Sequence, residues 1–250
     1  MSWSNHMSHV ALGHDRPVTE LPLTLGDLHL SLSPGDEVVA HLSARPSPDW
    51  SCQRVEDLVT GAGFLPLGKV VRKLSGFEFR LKRIRSLPDT VGPDMRVLMV
   101  GLNPSPYSAD SGIGYGRPGN RFWPAALKAG LVSIDRDPRH ALSHHGVGMT
   151  DLVRRTTARA DEVERAEFEA GFERVQRLVT WLRPKVCCFI GLGGWRQVVD
   201  RKAVTGWQTN SVGGSAVYVM PHTSGLNARS RLEDLVEHLL AVSTMANAVD

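Results

Sequence analysis

Three short stretches combine polar side chains in patterns that could do chemistry. The first is Gly-Leu-Asn-Pro-Ser at residues 101–105, which puts the Asn103 amide directly after an apolar run. The second is Gly-Asn-Arg-Phe-Trp at 119–123, and the third is Pro-His-Thr-Ser-Gly-Leu-Asn-Ala-Arg at 221–229. An amide such as Asn103 can orient a water through its carbonyl oxygen, but it cannot take the proton of that water as a carboxylate can. Standing alone before Pro104, it would more often be an Asx-turn residue. A histidine such as His222 can donate a hydrogen bond to an oxygen on which negative charge develops, or simply pack on Thr223 or Ser224. Tyr115 and Tyr107 offer aromatic faces for stacking. Asn120 presents both a donor and an acceptor. It suits reading the edge of a planar ligand, and it suits capping a helix that starts there.

These residues need elements to hold them. Residues 97–100 (Val-Leu-Met-Val) read as a buried strand ended by Gly101, with a long Gly-, Pro- and Ser-rich loop running on to Asn120. A loop hung from the carboxyl end of a central strand is where open α/β sheets place a ligand crevice. Beyond it, residues 146–157 read as a glycine-punctuated loop. Residues 161–182 carry a helical apolar stripe stopped by Pro184, 186–191 and 217–220 read as strands, and 231–242 as a final helix. Strands alternating with helices predict an α/β fold with a central parallel sheet flanked by helices over residues 95–245.

Upstream, residues 1–90 predict a small accessory α/β or β-rich module. Residues 1–20 read as a flexible leader, 21–33 alternate with period two as a hairpin or two short strands, and 36–42 read as a strand or a helical turn. Residues 51–61 form a Ser-capped helix, 64–81 two strands with Gly76 near the turn, and 88–94 (Pro-Asp-Thr-Val-Gly-Pro-Asp) a linker. Arg80, Lys82, Arg83 and Arg85 make a basic cluster that reads as a solvated face or as a contact for a polyanion's backbone.

A formal net charge of +3 permits a polyanionic partner without demanding one. Three cysteines, Cys52, Cys187 and Cys188, are too few for a disulfide framework or a four-cysteine cluster, and suggest a reducing cytoplasm. His140, His144 and His145 lack Cys or Glu partners at ligand spacing, so the expectation is no metal and no cofactor. No apolar run reaches membrane-spanning length, and the opening residues do not read as a signal peptide.

Taken in order across residues 96–242, the three polar stretches resemble the uracil-DNA glycosylase superfamily, most closely its mismatch-specific uracil/thymine-DNA glycosylase branch. Residues 101–105 resemble that branch's Gly-Ile-Asn-Pro-Gly motif, 119–123 its Asn-Arg-Phe-Trp signature, and 221–229 its Asn-Pro-Ser-Gly-Leu-Ser loop. His222 departs from the branch, which has Asn there, and is similar to the His-Pro-Ser-Pro loop of the general uracil-DNA glycosylases.

The resemblance implies a monofunctional DNA glycosylase of base excision repair. It would flip uracil, and in some cases thymine or etheno-cytosine, out of double-stranded DNA opposite guanine and hydrolyse its N-glycosidic bond. It further implies catalytic roles for Asn103, which would position the water, and His222, which would bond the leaving base or be captured by the sugar cation. Base binding would fall to Tyr115, Asn120, Gly101 and Leu102. A wedge of Gly225, Leu226, Asn227 and Arg229 would fill the emptied stack, and Ser108, Ser224 and Arg121 would touch phosphates. The expected partner is duplex DNA holding G·U or related mispairs, met by a nucleoid-associated monomer in the cytoplasm. Two other readings use the same residues: a lesion binder with little cleavage, and a nucleoside or nucleotide hydrolase. The Leu226 wedge argues against the second, because a free nucleoside leaves no gap to plug.

Overall fold

The computed structural model describes residues 8–248. In its first part, β1 (Ser8–Leu12), α1 (Leu21–Ser31), β2 (Glu37–Leu42), α2 (Cys52–Gly61), β3 (Phe64–Pro66), β4 (Val71–Lys73) and β5 (Gly76–Arg83) follow in order. They build a five-stranded sheet, β1-β2-β5-β3, with β4 also on β5.

Three expectations fail here. The stretch read as a hairpin is helix α1. Leu21, Leu25 and His29 are spaced by four and form its fully buried stripe, and Pro22 sits in the first turn, where its missing N–H costs nothing. The period-two reading counted Leu23 and Leu30, which lie off that stripe, and Leu30 is exposed. The stretch read as a leader contributes β1, which pairs in parallel with β2 from Ser8↔Val38 to Leu12↔Leu42, while residues 1–7 lie outside the described residues. Residues 64–81 hold three strands rather than two. Ser51 caps α2 as its sequence predicts, its Oγ accepting from Arg54 N at 3.2 Å.

The second part runs β6 (Val97–Gly101), α3 (Pro106–Ser111), α4 (Phe122–Lys128), α5 (Pro138–His145), β7 (Val147–Asp151), α6 (Arg165–Leu182), β8 (Val186–Ile190), α7 (Leu192–Val198), β9 (Gly206–Trp207), β10 (Ala216–Met220) and α8 (Leu232–Ala248). Its sheet is ordered β7-β6-β8-β10-β9, with the first four strands parallel and β9 antiparallel at the edge. Strands β6, β7 and β8 are buried throughout because helices cover both faces. Val97 and Met99 pack with Phe122, Trp123 and Leu235 of α4 and α8. Leu98 and Val100 pack with Phe168, Val175 and Trp195 of α6 and α7. The alternation of one strand thus supplies both cores.

Three further expectations change. Residues 147–151, read as loop, are strand β7. Gly148 is there because a methyl on it would lie 2.1 Å from Met95 Sδ. The segment read as a linker is built in: Val91 and Asp89 are buried, and Thr90 and Met149 exchange backbone hydrogen bonds of 2.9 and 2.8 Å. The long loop after β6 contains α3, started by the Ser105 cap and Pro106 and ended by Gly112 in the left-handed region. Among the described residues no helix is long and apolar enough to cross a membrane.

Candidate active site

Because β6, β7 and β10 are parallel, the segments that leave them emerge at one edge of the sheet, carrying Asn103, Asp151 and His222 respectively. Gly101 and Asp151 are register partners at the ends of β6 and β7. A methyl on Gly101 would lie 2.1 Å from Asp151 Oδ1 and 3.0 Å from the Tyr115 hydroxyl, so only glycine lets that carboxylate lie over the strand end. Above it opens a cleft.

Asn103, Ser108, Tyr115, Asn120 and Ser224 all line this cleft, so five side chains named from sequence meet at one place. Asn103 Nδ2 donates to Thr157 Oγ1 at 2.7 Å and to the Arg155 carbonyl at 3.1 Å. A carbonyl can only accept, and Thr157 Oγ1 spends its own proton on Arg159 O at 2.7 Å. The amide orientation is therefore fixed, and Oδ1 is left for a ligand or a water. Asn120 Oδ1 accepts from Phe122 N at 2.9 Å, an Asx turn one residue before the N-cap Arg121 of α4, and its Nδ2 remains available. Ser108 is buried and accepts from Ser105 Oγ at 3.2 Å. Tyr115 adopts φ +57° and rests on Phe122 with ring centroids 4.4 Å apart. Its hydroxyl is buried with no partner, and burial pushes its pKa well above the usual phenol value.

The remaining named residues lie outside the cleft lining. Leu102 turns toward Gly193 of α7, and the carbonyls of Gly101 and Leu102 are taken at 2.9 Å by Leu152 N and Val153 N. Arg121, read as a phosphate contact, donates instead to the carbonyls of Ser224 (3.1 Å), Asn227 (2.8 Å) and Ser230. Asn227 is buried and spends its amide on His222 O at 2.9 Å, Ser230 Oγ at 3.2 Å and Arg229 N at 3.1 Å. The two residues thus shape the loop. Gly225 crosses the turn before α4 so closely that a methyl on it would lie 2.6 Å from Gly119 O. What this loop holds out is Leu226, 84% exposed, with Arg229 also exposed. His222 is exposed beside Gly191, outside the cleft lining. Partial burial and then the Arg121 charge lower its pKa, so it is neutral at pH 7.

The basic cluster is largely consumed. Arg83 is buried, Arg80 pairs with Glu37 at 3.1 Å, and Arg85 pairs with Asp110 at 2.8 Å.

The sequence did not place Thr150 and Asp151, which line the cleft floor together with Arg154. Burial raises the pKa of Asp151 to about 6, with Arg154 and Arg174 pulling it down and Asp89 pushing it up. A carboxylate poised there can accept a proton near neutral pH. The one available signal was a carboxylate ending an apolar Val-Gly-Met-Thr run, which two glycines disguised as loop.

Compared with known proteins, the chain is similar over 64% of its length to a candidate uracil DNA glycosylase of Methanosarcina acetivorans solved by solution NMR, at 21% identity and a TM-score of 0.46, covering 97% of that chain. The model of the Uracil DNA glycosylase superfamily matches residues 88–242, from just before Asp89 to α8 and across every wall of the cleft except Leu87. On that match, which spans more than half of the sequence, the chain belongs to the uracil DNA glycosylase superfamily.

Proposed function

We propose that this protein is a monofunctional DNA glycosylase that removes uracil opposite guanine from double-stranded DNA. The observation that carries the reading is the fixed Asn103 amide, whose free Oδ1 shares one cleft with the Asp151 carboxylate. The target base cannot be reached in the stack, so the nucleotide rotates into the cleft and stacks on Tyr115, with the Asn120 Nδ2 toward its edge. Asn103 Oδ1 holds a water facing the sugar. As the C1′–N1 bond breaks, its electron pair goes to the base, the water oxygen bonds to C1′, and Asp151 takes the water's proton. A neutral His222 donates to the base oxygen as charge develops there, which requires its loop to move toward the cleft when DNA binds.

Leu226 enters the gap left by the flipped nucleotide. Mispairs are favoured because a mispaired base unstacks at lower cost. Residues 95–245 carry this chemistry, and residues 1–90 support it as an accessory module.

Single-turnover cleavage of labelled duplexes bearing G·U or A·U, and of the same uracil in single strands, tests the reading. Cleavage of G·U that falls by orders of magnitude in Asn103→Ala and Asp151→Asn is expected. Tight binding without product would make the cleft a lesion reader, and equal rates on single strands would remove the mismatch preference.

A further inference from the structure

Beneath the cleft lies a group of buried charges that joins the two sheets. Asp89 follows Leu87 and Pro88, which form part of the cleft wall, and is only 6% exposed. Its Oδ1 accepts from Arg154 Nη1 at 2.8 Å and Thr150 Oγ1 at 2.7 Å, and its Oδ2 accepts from Arg174 Nη1 at 2.7 Å. Arg174 Nη2 donates to Thr150 Oγ1 at 2.8 Å and to the backbone carbonyl of Asp151 at 2.9 Å. Arg154 Nη2 reaches the carbonyl of Gly61, the last residue of α2, at 2.8 Å, and that of Leu87 as well. Helix α2, the segment before β6, the end of β7 and α6 thus meet at the residue that presents Asp151 to the cleft.

Neither arginine bonds the Asp151 carboxylate. Both are held beside it by Asp89, which occupies their donors, and Arg174 grips the Asp151 backbone. The charged and titratable groups facing Asp151 are Arg154 from its own loop, Arg174 from α6, Asp89 from the segment before β6 and the Tyr115 hydroxyl from the loop before α4. Two cations balance two carboxylates.

We propose that Asp89 is a positioning residue: through Arg154 and Arg174 it holds the Asp151 carboxylate in the cleft and sets the pH at which that carboxylate ionises. The N-terminal part of the chain is then a working wall of the site, tied in through Leu87, Pro88 and the Gly61 carbonyl. This inference rests on the reading of Asp151 as the group that takes the proton. Removing the charge of Asp89 leaves two guanidinium groups facing Asp151 alone and favours its ionised form. Removing the charge of Arg174 does the reverse.

The test follows the Asp151 carboxyl directly, by NMR titration of the full chain with 13C-carboxyl-labelled aspartate, its signal identified by its loss in Asp151→Asn. Single-turnover cleavage of the G·U duplex is measured across the same pH range. Asp89→Asn is expected to move the Asp151 midpoint down by about one pH unit and Arg174→Gln to move it up by a similar amount. The acid limb of the rate should move with it, and Asp89→Asn/Arg174→Gln should return both toward wild type. Arg174→Lys keeps the charge but loses the paired bonds, so it should lower the rate with little change in the midpoint; if Asp89→Asn does not fold, the upward midpoint shift in Arg174→Gln carries the test. An Asp151 midpoint that stays put in both single variants overturns the inference, whatever the rates do. Midpoints that move while the rate limb stays put uphold the coupling and remove Asp151 from the chemistry instead.

Discussion

Replacing Gly101 by alanine adds one methyl at the floor of the cleft. That methyl would lie 2.1 Å from Asp151 Oδ1, where real contacts of this kind stay beyond 3.0 Å, so the carboxylate must retreat by about 1 Å. It has little room, since the 3.0 Å approach to the Tyr115 hydroxyl closes a second direction and Asp151 is itself buried. Overpacking of this size costs roughly 1–3 kcal/mol of stability, partly offset by about 0.5–1 kcal/mol from replacing a strand glycine. The functional loss should be larger, because misplacing a reacting group by about 1 Å can cost ~10²-fold in rate. Gly148→Ala is the control. Its methyl would lie equally close, 2.1 Å, to Met95 Sδ, the adaptable part of a flexible side chain. Single-turnover cleavage and denaturant unfolding of both variants should show comparable stabilities, with a rate loss near ~10²-fold for Gly101→Ala only. If Gly101→Ala cleaves within about threefold of wild type while remaining folded, the placement of Asp151 at the reacting centre is wrong.

Other outcomes are expected as well. Cleavage should fall as pH drops through about 6, where Asp151 gains its proton. Because its folded pKa lies above the unfolded value, Asp151 costs nothing below about pH 4, and its cost grows as pH rises to about 6, reaching about 3 kcal/mol above that. Asp151→Asn should therefore raise the unfolding free energy at pH 8 by up to that amount, and leave it unchanged at pH 4, while cleavage is lost. Thr157→Val deprives Asn103 Nδ2 of its 2.7 Å acceptor and should lower kcat by about tenfold with KM nearly constant. Leu226→Ala should change stability by less than about 0.5 kcal/mol, since the side chain is 84% exposed, yet slow cleavage of duplex far more than of single strands. Arg121→Ala releases three carbonyls of the 224–230 loop and should cost about 2 kcal/mol, read by thermal unfolding, together with duplex affinity.

What the sequence disclosed and what it hid have different physical origins. Strand β6 and the Asn103 loop were legible because an apolar run followed by Gly, Asn and Pro has few other solutions. The parallel sheet followed from strands alternating with helices. Helix α1 was hidden because Leu21, Leu23 and Leu25, and then Leu28 and Leu30, make two short runs of period two, while the helical spacing shows only in Leu21 and Leu25, which tertiary burial selects. Strand β7 was hidden by Gly146, which ends α5 in the left-handed region at φ +59°, and by Gly148, whose reason is a close approach to Met95 rather than a turn. Asp89 and Arg174 could not be found at all from one sequence. They are 85 positions apart, and nothing local marks either as a partner of the other. Arg121 and Asn227 carry the chemistry of phosphate and base contacts, but folding spends it on the loop that holds Leu226 out.

Three departures from ordinary structural economy fall in one cleft. A carboxylate is buried, and that burial raises its pKa to about 6. A phenol hydroxyl beside it is buried with no partner. The same tyrosine, not a glycine, sits at φ +57°. Each lowers stability: the carboxylate by about 3 kcal/mol above pH 6, the unpaired hydroxyl by about 1–3 kcal/mol, the left-handed backbone by about 1–3 kcal/mol. Packing alone would remove all three with Asn at Asp151, Phe at Tyr115 and a shorter turn. Their coincidence over Gly101 is the pattern of a site kept for a ligand that supplies the missing partners. A flipped pyrimidine, whose edge both donates and accepts, with a water held by Asn103, would supply those partners.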